Sequence, residues 1–227
     1  MNIVQLKKEM RAYAVKHGIV EKPRMILVAR WGKAARQLAW RVSGHMHPTQ
    51  QSDARGVLWA MFHPPSPAAA LRQRIVAGYL SILGAKEGGT VQHAIAKFCG
   101  IPARLPWCAE TFWYVCKSLA GYNGPRPLYI ESVKSWELFA EEHGLIVKFT
   151  NALPGMAVTY VWDGKRGVGN GDHIGTIVKT GIVRHVIQEN PLAAEGNTSG
   201  PAGDLVAEKT RYWWQINVIF DLAKLQK

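Results

Sequence analysis

The hydrophobic pattern of the chain changes its period at about residue 150, and this change limits the fold more than any other feature. Before it, apolar residues recur at helical spacing; after it, short β-rich runs alternate with Gly-rich turns. The pattern predicts helices at 68–83 and 91–98, and a third that begins at Cys108. It also predicts a turn at 195–200 and strands at 156–162, 173–179, 182–188 and 209–220. Helices first and antiparallel strands second predict an α+β domain.

Residues 1–62 differ from the rest in charge. They contain eleven Lys or Arg and three Asp or Glu, which gives +8 of the net +12 of the 227-residue chain. Short amphipathic patterns predict a small basic helical region, joined by a Pro-rich linker at 63–67 to a domain at 68–221. This region is either an ordinary basic surface or an anchor for an anionic polymer. Nucleic acid is disfavoured, because the region has no zinc-ligand spacing and no recognition-helix motif.

Cysteine usage and the N-terminus predict the compartment. Three cysteines are too few for a disulfide framework, so we expect free thiols. The first residues form no apolar signal-peptide core, and no apolar run approaches the length of a membrane span. We therefore expect synthesis in the cytoplasm without a signal peptide, and no transmembrane segment. His45, His47 and His63 lack a third ligand at zinc spacing, so no metal or cofactor is predicted.

Cys108 occupies the most informative local position in the chain. Pro106 suits the first turn of a predicted helix, where its missing N–H is no loss, and Cys108, Phe112, Val115 and Leu119 fall on one face of that helix. A cysteine in the first helical turn lies near unpaired N–H groups and the positive end of the helix dipole, which favour the thiolate. The same position also suits a buried cysteine that packs like a small hydrophobe. Trp107 and Trp113, beside it, are either core residues or a platform for a sugar or peptide.

Residues further along the chain can complete a nucleophilic site. Acyl chemistry at a thiolate needs an imidazole to carry the proton and a polar group to orient the imidazole. His173 begins a predicted strand roughly 65 residues after Cys108, and Glu195 and Asn197 follow it. Side chains two residues apart in an extended segment point the same way, so both can face the imidazole. The pair at 189–190, Glu-Asn, is an alternative orienting group.

Three motifs resemble those of the CHAP family, the cysteine, histidine-dependent amidohydrolases/peptidases of the papain-like superfamily. They are Pro-Trp-Cys-Ala-Glu at 106–110, Gly-Asp-His-Ile-Gly-Thr-Ile-Val at 171–178 and Glu-Gly-Asn-Thr-Ser-Gly at 195–200. Lys-Thr-Arg-Tyr-Trp at 209–213 resembles the strand that follows the last motif in the family. The resemblance covers roughly residues 65–221. It implies a papain-like fold in which a nucleophile helix packs on an antiparallel sheet.

The resemblance also implies the roles of the site residues and the substrate. Cys108 would be the nucleophile, His173 the base and acid, Glu195 the orienting group and Asn197 a further polar member. The expected activity is hydrolysis of an amide bond in bacterial peptidoglycan, as in a bacteriophage endolysin made in the host cytoplasm and released to the wall. Residues 1–62 would then bind anionic wall polymers. Calcium-binding members carry an acidic loop ahead of the cysteine, where this chain has only Glu87, so no metal is implied.

The same residues leave two other functions open. The chain can be a virion-associated or cellular wall-remodelling enzyme of the same family. It can also be a basic polymer-binding protein whose papain-like domain is inert.

Overall fold

A computed structural model describes residues 66–102, 106–183, 186–200 and 203–226. The predicted basic helical region at 1–62 and the first part of the linker at 63–67 lie outside the described residues. The chain from Ser66 onward forms one compact unit. This unit contains four α-helices and a five-stranded antiparallel sheet among its described residues, so the α+β prediction is confirmed.

The first two helices begin and end at residues with clear capping chemistry. Helix α1 (Pro67–Ser81) starts with Ser66, whose hydroxyl accepts a hydrogen bond from the Ala69 N–H at 3.2 Å. Ser66 and Pro67 therefore open this helix, although the sequence placed both in the linker. Helix α2 (Thr90–Cys99) ends at Gly100, whose φ of 72° is the left-handed C-terminal conformation that glycine adopts without strain.

The third helix carries Cys108 as its first residue. Helix α3 (Cys108–Tyr114) continues into a π-helical turn (Val115–Leu119), which inserts one extra residue into the helical repeat. The extra residue rotates the following positions, so Val115 and Cys116 are buried whereas Leu119 is 37% exposed. The single apolar face predicted through Leu119 therefore ends at the π-helical turn.

A fourth helix was absent from the sequence-based prediction. Helix α4 (Val133–Glu142) is capped by Ser132, whose side chain accepts a hydrogen bond from the Ser135 N–H at 3.3 Å. Trp136 is fully buried, and its indole N–H donates to the Ile130 carbonyl at 2.8 Å.

The sheet has the strand order β6-β5-β2-β1-β7, and every neighbouring pair is antiparallel. Its strands are β1 (Ala157–Tyr160), β2 (His173–Lys179), β5 (Leu192–Gly200), β6 (Gly203–Thr210) and β7 (Ile216–Phe220). A separate two-stranded hairpin joins β3 (Ile182–Val183) to β4 (Val186–Ile187). Strand β2 has the predicted bounds, whereas the single strand predicted at 182–188 is this hairpin.

The predicted turn at 195–200 is wrong, because these residues belong to strand β5 and pair with β6. The turn-forming residues are accommodated by an irregularity in the register between Glu195 and Thr198, where Asn197 has a φ of 54°. The sequence also predicted one or two strands at 209–220. The structure divides this segment into the end of β6, a short 3-10 helix (Trp213–Gln215) and β7.

The helices and the sheet enclose the larger of two hydrophobic clusters. Strand residues of this cluster alternate with those of the smaller cluster, as expected for a sheet buried on both faces. Trp107 and Trp113 are buried in the larger cluster and are therefore core residues. Cys108 belongs to the same cluster, so its backbone is held by the packed core rather than by a surface loop.

Candidate active site

The structure brings Cys108, His173 and Glu195 together from three different elements. Cys108 begins α3, His173 begins β2 and Glu195 lies on β5. All three are buried, with exposed fractions of 4%, 7% and 0%. The three predicted partners therefore meet although up to 87 residues separate them in the chain.

Strand register explains how Glu195 reaches the imidazole. Glu195 pairs with Gly175, and His173 lies two residues before Gly175 on β2. Residues in this diagonal relation project from the same face of an antiparallel pair and stay within reach of long side chains. The Glu195 Oε2 atom lies 3.1 Å from His173 Nε2, which is hydrogen-bond distance. The other ring nitrogen, Nδ1, is left for the thiol.

The environment of His173 favours its protonated form. Burial lowers the pKa of His173, but side-chain hydrogen bonds with Cys108 and Glu195 and the negative charges of both groups outweigh burial. The result is a pKa of about 9, against an ordinary value of 6.5. An imidazole with these two neighbours can keep its proton at neutral pH.

Glu195 is kept ionised by a second cation. The Arg211 guanidinium binds both oxygens of its carboxylate, with Nε 2.8 Å from Oε1 and a second nitrogen on Oε2. Burial by itself would raise the pKa of Glu195, but the hydrogen bonds and charges of Arg211 and His173 lower it below its usual value. Arg211 also donates to the Thr198 hydroxyl at 3.2 Å.

Two glycines allow the three elements to approach so closely. A Cβ atom on Gly175 would lie 2.6 Å from Glu195 Cγ, so this glycine leaves the space that the glutamate side chain occupies. A Cβ atom on Gly196 would lie 2.3 Å from the Thr111 hydroxyl oxygen, so this glycine lets α3 pack against β5. Both glycines lie within the motifs that contain the predicted site residues.

The structure distinguishes between the candidate orienting groups. Glu189 is exposed and forms a salt bridge with Lys179 at 3.0 Å. Asn197 is half-buried, and its positive φ interrupts the alternation that would turn it with Glu195 towards the imidazole. Within the described residues, Asn197 makes no hydrogen bond with His173. Glu195 is thus the carboxylate beside the ring, and a role for Asn197 stays a prediction.

Two residues important to this arrangement were not assigned roles from the sequence. Arg211 lies within the motif at 209–213, but its contact with Glu195 depends on the β5–β6 register. Trp162 is 49% exposed, and its ring centre lies 6.0 Å from that of His173. Its position at the end of the β-rich run at 156–162 was the available signal.

The other two cysteines lie in environments that suppress reactivity. Burial, together with the charges of Glu110 and Glu131, raises the pKa of Cys99 to about 12. Burial also raises the pKa of Cys116 well above its ordinary value. Glu110 is itself buried, and burial followed by the charge of Glu131 raises its pKa to about 7. Within the described residues, Cys108 is the one cysteine with an imidazole partner.

Across the part of the chain that the structure describes, no helix is long and apolar enough to span a bilayer. Within the same residues, no group of three or more His, Cys, Asp or Glu side chains is arranged to hold a metal ion.

A thiol, an imidazole and an ionised carboxylate in this order can perform acyl transfer. Comparisons of the chain with protein-family models, curated proteins and solved structures gave no match. The function is therefore inferred from the site itself.

Proposed function

We propose that the chain is a cysteine-dependent peptidoglycan hydrolase with a papain-like CHAP domain, similar to a bacteriophage endolysin. The observation that carries this proposal is the position of His173 between Cys108 and a Glu195 that Arg211 holds ionised. A purely structural histidine does not require a thiol on one side and a charge-balanced carboxylate on the other.

The proposed reaction uses covalent catalysis in two steps. The Cys108 thiolate attacks the carbonyl carbon of the scissile amide, and the tetrahedral intermediate collapses when the C–N bond breaks. His173 gives its proton to the departing amine, which leaves a thioester on Cys108. His173 then removes a proton from water, the hydroxide attacks the thioester, and the C–S bond breaks to restore the thiolate.

Glu195 acts on this cycle through the imidazole. Its carboxylate fixes the ring by accepting a hydrogen bond at Nε2 and stabilises the positive charge that the ring carries between proton transfers. Arg211 prevents that carboxylate from taking the proton itself, because it stabilises the ionised form. The two-step reaction balances in atoms and electrons with the substrate, water and these side chains.

Replacement of the nucleophile tests the proposal directly. Purified walls treated with the Cys108→Ala protein should stay turbid, while the matched Cys99→Ala protein should clear them at nearly the wild-type rate. Mass spectrometry of the wild-type digest then identifies the bond. New N-terminal alanine identifies an N-acetylmuramoyl-L-alanine amidase, and stem or cross-bridge fragments identify an endopeptidase. Clearing by Cys108→Ala protein at the wild-type rate rules out the mechanism.

Thiol alkylation separates an enzyme from an inert binding domain. Iodoacetamide at neutral pH should modify Cys108 and spare Cys99 and Cys116, whose raised pKa values leave almost no thiolate. Equal inertness of all three cysteines would support a basic binding protein with an inactive papain-like domain.

The basic residues at 1–62 supply the proposed attachment to the wall. Their charge of +8 is suited to anionic wall polymers. The full chain should sediment with walls at low salt and dissociate as ionic strength rises. Sedimentation should weaken on walls stripped of their anionic polymers, and equal binding to stripped walls excludes this attachment.

A further inference from the structure

We infer that the exposed ring of Trp162, beside His173, and the exposed rings of Tyr212 and Trp214, on the segment that follows Arg211, form a subsite that binds the sugar rings of a glycan. This inference rests on the proposed function and specifies which part of the substrate lies on the His173 side of the site. It assigns a role to aromatic residues that the core does not use.

Trp162 is exposed yet firmly held. Half of its surface is open, but its backbone N–H donates to the Asp172 carboxylate at 2.8 Å. The Tyr160 ring is nearly parallel to it, with ring centres 5.8 Å apart. The Arg211 guanidinium lies 5.0 Å from the indole centre. These three contacts fix the ring before any ligand binds, which lowers the entropic cost of binding.

Tyr212 and Trp214 are a second pair of exposed rings, on the segment that follows Arg211. Their rings stack at 5.7 Å with an angle of 13° between the planes, although both side chains are more than half exposed. Tyr212 directly follows Arg211 in the chain. The Trp214 carbonyl accepts a hydrogen bond from Arg166, which belongs to the loop that follows Trp162. Two arginines therefore link the segments that carry these rings. Arg211 precedes Tyr212 and lies over the Trp162 ring, and Arg166 follows Trp162 and binds the Trp214 carbonyl.

The chemistry of these surfaces favours a sugar. A pyranose ring presents a flat face of C–H groups, and such groups pack on the electron-rich face of an indole or phenol ring. The charge of Arg211 is balanced by Glu195, whereas Arg166 donates to the Trp213 and Trp214 carbonyls and has no acidic partner among the described residues. A polyanion such as single-stranded nucleic acid binds by stacking together with several unpaired cations, so a surface with one unpaired arginine favours it less than a neutral sugar.

The sheet topology argues against an extended peptide in the same place. Peptides that bind by strand addition need a free sheet edge. His173 and Glu195 lie on β2 and β5, which are interior strands in the order β6-β5-β2-β1-β7. The Trp162 ring centre lies 6.0 Å from that of His173, so a sugar bound on Trp162 places the glycan end of the substrate beside the imidazole. This position favours cleavage of the amide that joins glycan to peptide.

Binding without turnover tests the subsite. We would titrate the full-length Cys108→Ala protein with a β-1,4-linked N-acetylglucosamine tetramer and measure affinity by calorimetry. Removal of either ring, in Trp162→Ala or Trp214→Ala, should weaken binding by about three- to tenfold, the usual contribution of one aromatic contact. Trp162→Phe should retain most of the affinity, because it keeps a flat ring. Tyr129→Ala, which removes another exposed tyrosine, should bind like the parent protein.

The outcomes separate this inference from the proposed function. No binding of the tetramer, or equal binding by Trp162→Ala in a protein that unfolds at the parent temperature, overturns the subsite. Binding of a free stem peptide or a single-stranded oligonucleotide that is lost in Trp162→Ala also overturns it and identifies the other class of ligand. Tetramer binding combined with wild-type protein that cannot clear walls would overturn the proposed hydrolase while the glycan subsite stands.

Discussion

Of the three glutamates buried among the described residues, Glu137 and Glu195 have no exposed surface, and the groups around these two differ in kind. Glu137 on α4 is surrounded by neutral donors, whereas Glu195 on β5 lies between a guanidinium and an imidazole. Burial of a carboxylate is costly, and both sites offset that cost with several hydrogen bonds. The nature of the partners, rather than the depth of burial, separates a residue that holds a loop from one that contacts the imidazole.

The neutral partners of Glu137 all serve to fix local structure. Its carboxylate accepts hydrogen bonds from the Gly169 and Gly171 N–H groups at 2.7 and 3.0 Å, and from the Asn217 amide at 2.8 Å. The Thr159 hydroxyl donates a fourth. These contacts fasten the loop between β1 and β2 immediately before His173. Glu137 therefore positions the histidine from a distance and has no contact with it.

The charged partners of Glu195 give it a different role. A carboxylate that faces a cation on each side stays ionised, and its negative charge stabilises the protonated imidazole. This contrast predicts different effects for substitutions at the two sites. Substitutions at Glu195 and Arg211 should change the turnover rate or the stability of the buried ion pair, and substitutions at Glu137 should mainly change the free energy of unfolding.

The largest expected effect is on turnover in Glu195→Gln. The amide keeps the size of the side chain but removes the charge that supports imidazolium, so we expect kcat to fall by about 10²- to 10⁴-fold. Rates of wall hydrolysis would measure this change. The matched control is Glu189→Gln, which removes an exposed carboxylate paired only with Lys179 and should keep wild-type turnover. The reverse result would identify Glu189 as the orienting residue.

Arg211→Met should have the largest effect on stability. It leaves the Glu195 carboxylate buried with one cation fewer, and loss of a partner from a buried ion pair costs about 3–5 kcal/mol. The Arg211 side chain is 18% exposed, which favours the lower end of that range. Urea unfolding would measure the loss, and Arg211→Lys should recover part of it. An unchanged free energy of unfolding would show that the guanidinium is not needed to stabilise Glu195.

Glu137→Gln should give a smaller loss of stability and spare the chemistry. One oxygen becomes an NH₂ group that faces existing donors, so we expect a loss of about 1–3 kcal/mol in the free energy of unfolding. Hydrogen exchange at the Gly169 and Gly171 amides should accelerate, because their acceptor is weakened. If kcat fell as far as in Glu195→Gln, the separation between the loop anchor and the orienting residue would be wrong.

The sequence was sufficient for features that depend on local pattern. The strand at His173–Lys179 followed from its β-branched residues, and the first-turn position of Cys108 followed from the apolar spacing. Pro106, predicted in the same turn, lies two residues before the helix begins. Helix α4 had a readable signal in the Ser132 cap and in the spacing of Val133, Trp136 and Ala140, but it was not assigned.

Features that depend on long-range pairing were not available from the sequence. Glycine and asparagine at 196 and 197 predicted a turn by their local preference. In the fold, Gly196 is needed for the close approach of Thr111, and Asn197 occupies an irregularity within the strand. The β5–β6 register brings Arg211 to Glu195, and Glu137 reaches its partners through a helix and a loop distant in the chain. No local pattern encodes such contacts.

The smallest expected effect is a shift in the alkaline limb of the pH–activity profile. It is the most specific test of the difference between Glu137 and Glu195. The reaction needs protonated His173, so activity should fall as pH rises through about 9. Glu195 raises the pKa of His173, so Glu195→Gln should move this limb to lower pH, and Glu137→Gln should leave it in place. Glu110 titrates near pH 7, so only the limb near 9 reports on His173.

The stability of the protein should follow the same titration. The pKa of folded His173 lies above its unfolded value of 6.5, so its contribution is complete below pH 6.5 and is lost as pH rises through about 9. Denaturation midpoints measured across this range for the wild type, Glu195→Gln and Glu137→Gln would show it. If activity and the denaturation midpoint fell over the same alkaline range in all three proteins, Glu195 would not set the protonation of His173, and the proposed difference between Glu195 and Glu137 would be wrong.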